Sequence, residues 1–66
     1  MLVKVRALEL RLKGEYYKKL CDYHHEKAMK LLDDGNYEES EYHMELSIAY
    51  LHRHCDTAIK YVETVL

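Results

Sequence analysis

Apolar and small residues recur through the first half of the chain at alternating steps of four and three: Val3, Ala7, Leu10, Gly14, Tyr17, Cys21, His24, Ala28 and Leu31. A seven-residue repeat sustained over this length is the seam of one helix packed on another. One of its two positions is always small (Ala7, Gly14, Cys21, Ala28), which lets two helix axes approach closely. In the second half Tyr37, Met44, Leu51, Ala58 and Val65 share one seam position, with Glu41, Ile48, Cys55 and Val62 each four residues behind. The pattern predicts an all-α protein: an antiparallel two-helix hairpin with helices over about 2–33 and 37–65, making residues 1–66 a single domain about 45 Å long at 1.5 Å per residue.

The stretch between the two repeats supports a turn. Gly35 can take the left-handed conformation that ends a helix, Asn36 suits an N-cap, and Glu39 three residues later can complete a capping box. The first fourteen residues, MLVKVRALELRLKG, also alternate apolar and charged positions as a strand would. That alternation slips at Ala7 and Leu8 whereas the helical seam passes through, so helix is the reading over residues 1–13, with strand as its alternative and a helix break near Gly14 also allowed. Paired with position numbers summing to 69 or 70, the helices set Cys21 level with Ile48, Cys55 level with Gly14, and His52 near Tyr17.

Both helices carry a second apolar face. Val5, Leu8, Leu12, Tyr16 and Tyr23 lie away from the first seam, and Tyr42, Leu46 and Ala49 away from the second. A helix that is apolar on two sides is sandwiched. These eight residues form the expected interface, and a homodimeric four-helix bundle is the expected assembly.

Composition agrees with helix: no Pro and two Gly in 66 residues. A chain this short buries only about 60% of its unfolded surface, so a second subunit would add needed stability. With no signal-like segment and no apolar run of about 18 residues, a soluble cytoplasmic protein is expected. The net charge of −2 conceals a division. Residues 1–19 balance at +4 and residues 20–50 at −6, so an antiparallel dimer would set unlike ends together. Arg6, Arg11, Lys13, Lys18 and Lys19 form a candidate basic strip for RNA or DNA.

Candidate chemistry is sparse. His24 and His25 are about 100° apart around a helix, and His52 and His54 about 200°, so neither pair chelates one ion readily. His25 near His43, with Glu26 or Glu39 as an oxygen ligand, is the remaining metal candidate. Two cysteines separated by about 10 Å along the axis are free thiols rather than a bridge. There is no phosphate loop and no Ser beside a plausible base, and the expected protein is not an enzyme and holds no cofactor.

The stretch Ala28-x6-Gly35-x-Tyr37-x2-Ser40-x3-Met44-x2-Ser47 resembles the helix-turn-helix core of a tetratricopeptide repeat, with Ser40 and Ser47 standing where the repeat usually has Ala. Microtubule-interacting-and-transport and HEPN-type helical domains have a similar turn. In size and central turn the chain is also similar to the dimeric RNA-binding hairpin of the plasmid Rop type. The repeat resemblance implies helical packing and partner binding. The expected function is therefore a non-enzymatic interaction or regulatory protein acting as a homo-oligomeric bundle; the alternatives are a Rop-like nucleic-acid binder and a metal-binding bundle.

Overall fold

The computed structural model describes residues 2–66. Helix α1 spans Leu2–Asp33 and helix α2 spans Tyr37–Val65, so the hairpin forms with the expected boundaries. It is an elongated body of 51 × 13 × 11 Å. Helix α1 runs unbroken through Gly14. The strand alternative for the N-terminal residues does not occur within the described part of the chain.

Between the helices the backbone closes through Gly35, whose φ of 81° lies in the left-handed region. Its N–H donates to the Leu32 carbonyl at 3.1 Å, and the Asn36 N–H to the Leu31 carbonyl at 2.8 Å. This pair of bonds is the Schellman motif, which satisfies carbonyls that the end of α1 would otherwise leave open. Asn36 occupies the N-cap of α2, but its ψ of 70° is not the usual extended value and its side chain makes no capping bond. Its carbonyl instead accepts from the Ser40 N–H at 2.9 Å, opening the ladder of α2. Glu38 and Glu39 lie in that first turn, where the helix dipole favours negative charge.

Helix α1 presents the expected seam from Ala7 onward: Leu10, Gly14, Cys21 and Ala28 are buried, and Ala7, Tyr17, His24 and Leu31 half-buried, while Val3 is exposed. Helix α2 does not. The face it turns to α1 is Ser40, His43, Ser47, Tyr50, His54, Thr57, Tyr61 and Thr64, each one residue before the corresponding position of the expected seam. One residue is about 100° of rotation, enough to turn the apolar row toward solvent.

Hydrogen bonding gives this orientation its physical basis. The Ser40 hydroxyl donates to the Ala28 carbonyl at 2.7 Å and the Ser47 hydroxyl to the Cys21 carbonyl at 2.9 Å. The His54 Nδ1–H donates to the Gly14 carbonyl at 2.8 Å. These three bonds recur every seven residues, each between a small residue of α1 and a donor of α2 whose numbers sum to 68, one below the expected register. Small side chains bring the axes close enough for direct bonds to backbone carbonyls. A Cβ added at Gly14 would already lie 3.0 Å from the Thr57 Oγ1, so the bulkier apolar row has no room in this seam. Among the described residues only Leu10, Cys21 and Ala28 form a buried apolar core, and no large side chain is fully enclosed.

Candidate interaction surfaces

The two edges of the seam differ in chemistry. Along one edge run His43, His24, Tyr50 and Tyr17. The Nδ1 atoms of His24 and His43 are 2.9 Å apart, with ring centroids 5.1 Å apart and planes 18° from parallel. That combination puts the rings nearly in one plane, edge to edge, as a single N–H···N bond requires; one nitrogen must donate and the other accept. Tyr50 lies parallel to His24 within 9°, and the Arg53 guanidinium lies 5.6 Å from the Tyr50 ring centre and 5.8 Å from that of Tyr17. Partial withdrawal from water, then the neighbouring His43 and the Lys27 ammonium, hold the His24 imidazole below its usual value.

The metal candidates do not assemble as expected. His43 meets His24, not His25, because the observed register puts His24 on the seam and leaves His25 exposed about 100° further round. Glu39 is exposed in the first turn of α2. The facing imidazole nitrogens point at each other and not toward a common third point. Among the described residues no group of three or more His, Cys, Asp or Glu side chains is placed to hold an ion. Both cysteines are free: Cys21 is buried with its Sγ 3.3 Å from the Ser47 Oγ, and Cys55 is exposed. Tyr17 meets Tyr50 and Arg53 where the sequence register had placed His52.

Of the eight expected interface residues, Val5, Leu8, Leu12, Tyr16, Tyr23 and Tyr42 are each more than half exposed. Ala49 is exposed as well, and Leu46 is half-buried. The sequence pattern did not foresee a second exposed apolar surface, formed by the row of α2 that had been assigned to the seam. Tyr37, Ile48, Leu51, Val62 and Val65 are 40–69% exposed, Cys55 and Ala58 are exposed, and Met44 is half-buried. Beside the C-terminal half of that row the helices enclose a groove of about 470 Å³ lined by Leu10, Arg11, Gly14, Ala58, Tyr61 and Val62 among others. A second hollow of about 300 Å³, bordered by Lys4, Ala7, Arg11, Tyr61 and Val65, continues it toward the open end.

The expected basic strip is dispersed. Arg6 pairs with Glu9 at 3.6 Å, Arg11 with Glu15 at 3.6 Å, and Lys18 with Asp22 at 2.7 Å, all on the surface of α1. The last contact raises the Lys18 ammonium above its usual value, chiefly through its hydrogen bond to the Asp22 carboxylate. Lys19 projects from another side of the helix, as its spacing requires. What the fold does bring together is Arg6 and Lys13 with Arg53 and Lys60 of α2, around a hollow that also includes Tyr17 and Asp56. A reading confined to α1 missed the two α2 cations, which join only once the register is known.

No family model matches the chain, and no curated protein or solved structure does either. Among the described residues no helix is long and apolar enough to cross a membrane.

Proposed function

We propose that this chain is a small non-enzymatic interaction or regulatory protein that works as a homo-oligomeric helical bundle. Unpartnered surface carries the reading. A compact monomer of this mass exposes about 4400 Å², whereas the hairpin exposes 5344 Å². The excess of roughly 900 Å² is close to the 800 Å² or so that each partner contributes to a standard protein interface. Exposed apolar side chains lie on two sides, at the stripe Val5, Leu8, Leu12, Tyr16 and Tyr23 with Tyr42, Leu46 and Ala49, and at the outer row of α2. One surface closes the bundle, and the other remains for a protein partner. Light scattering tests the assembly: a dimer or larger species is expected at tens of micromolar, and a well-folded monomer there refutes the reading.

A second reading, binding of nucleic acid, is favoured by one observation. Arg6, Lys13, Arg53 and Lys60 converge from both helices beside Tyr17, and cations interleaved with an aromatic ring suit a phosphate backbone with unstacked bases. Gel retardation of RNA and DNA at low salt tests it. A shift abolished by Arg53→Glu with Lys60→Glu supports it, and no shift ends it.

A further inference from the structure

We propose that α2 packs on the α2 of a second copy, antiparallel about a two-fold axis at Leu51, with Glu38, Glu41 and Glu45 of each copy against Lys4 and Arg11 of the other. This rests on the bundle reading and gives it a face, a partner and an orientation.

The first support is the division of α2 itself. Ser40, Ser47 and His54 of its inner face bond to α1, while the apolar row about 100° away stays largely exposed, with only Met44 half-buried. Such a row is an incomplete seam. Its heptad spacing, Tyr37, Met44, Leu51, Ala58 and Val65, suits a helix as its counterpart.

Symmetry then selects the orientation. Leu51 is the midpoint of Tyr37–Val65. In an antiparallel pair centred there, Leu51 meets its own copy, while Met44 faces Ala58 and Tyr37 faces Val65, large against smaller. The half-row from Tyr37 to Ile48 falls over the partner's groove, where Gly14 and Ala58 leave space. A parallel pair would stack Tyr37 on Tyr37 and set only the shorter Ala58 and Val62 over the groove.

Charge makes the same selection. The half-row that enters the groove is flanked by Glu38, Glu41 and Glu45; Arg11 lines the groove together with Glu15, and Lys4 borders the hollow that continues it. The bond from Arg11 to Glu15 is a solvent-exposed contact, weak enough to be shared or exchanged. A parallel arrangement would instead set acid against acid. The chain thus supplies both halves of a complementary pair, which identifies the occupant of the groove as a second copy.

Cross-linking and charge exchange test this geometry in the full chain. With Cys55→Ser removing the exposed thiol, Leu51→Cys should oxidise with diamide to a covalent dimer, whereas Asp56→Cys on another face in the same background should not. Glu41→Lys with Glu45→Lys should raise the dimer dissociation constant about tenfold at low salt, and adding Lys4→Glu with Arg11→Glu should restore it. A chain that stays monomeric at hundreds of micromolar overturns both this proposal and the bundle reading. A stable dimer in which Leu51→Cys fails to cross-link, or in which the charge exchange gives no restoration, overturns this geometry and leaves the bundle reading standing.

Discussion

The two faces of α2 reverse the usual allocation of polar and apolar side chains. Toward α1 it presents Ser40, Ser47, His54 and Thr57; about 100° away it presents Ile48, Leu51 and Val62 to solvent. The inner face is short-ranged and specific, because Ser40, Ser47 and His54 each reach a backbone carbonyl of α1 at 2.7–2.9 Å. The outer face is broad and apolar, with Ile48, Leu51 and Val62 40–49% exposed. Polar contacts therefore fix the register of the hairpin, and apolar surface is left exposed outside it.

The most damaging way to break this division is to put bulk into the inner face. Ser47 is 4% exposed, with its hydroxyl against both the thiol and the carbonyl of Cys21. Ser47→Leu both overpacks the seam and loses a bond, costing about 2–4 kcal/mol. Urea unfolding should show most of the stability gone, although the new residue is the more hydrophobic. Unchanged stability would mean that the apolar row, and not the serine row, faces α1.

The outer face should respond differently. Ile48→Ser with Val62→Ser removes apolar area from surface the monomer leaves wet, so the hairpin itself should lose little. Its assembly should weaken by about 2 kcal/mol. In the unmodified chain the thermal midpoint should rise with protein concentration, as it does whenever association stabilises the folded state. In the double variant that dependence should vanish. A midpoint independent of concentration in both would remove the assembly from the comparison.

These contrasts also explain which features were legible in the sequence. The seam of α1 was plain, because small residues at Gly14, Cys21 and Ala28 can be regular for no reason but close approach. The turn was equally plain from Gly35. The face of α2 was misplaced by one residue because hydropathy assigns the apolar row inward, and no sequence pattern records that carbonyls at positions 14, 21 and 28 await donors. The one available signal was Ser40 and Ser47, seven residues apart at places where the resembling repeat has Ala. The same rotation displaced the candidate sites: it brought His43 to His24 instead of His25, and it exposed a second apolar surface beside the stripe that the pattern did reveal.

Acid should loosen the inner face first. Because His24 titrates below its usual value in the folded chain, the unfolded chain binds its proton at a higher pH, near 6.5. The resulting stability is present in full above about pH 6.5 and is lost as the pH falls from there through the lower folded value. Protonating both rings also leaves the His24–His43 bond without an acceptor. The thermal midpoint should therefore fall as the pH drops below about 6.5, and His24→Phe should flatten that fall. An equally steep fall in the variant would place the acid sensitivity elsewhere.

The smallest expected change is the most discriminating. At a helix position Gly→Ala ordinarily stabilises by about 1 kcal/mol, but a Cβ at Gly14 would sit 3.0 Å from the Thr57 Oγ1, and the hydroxyl is held by its own bond to the His54 carbonyl at 2.7 Å. The gain in helix propensity and the crowding of the seam should nearly cancel, so Gly14→Ala alone should change stability by only a few tenths of a kcal/mol. In a Thr57→Ala background the obstruction is gone, and the same substitution should yield close to the full 1 kcal/mol or so. A double-mutant cycle reads the difference directly. If Gly14→Ala stabilises equally in both backgrounds, the close approach of the two helices at Thr57 is not what glycine serves at this position.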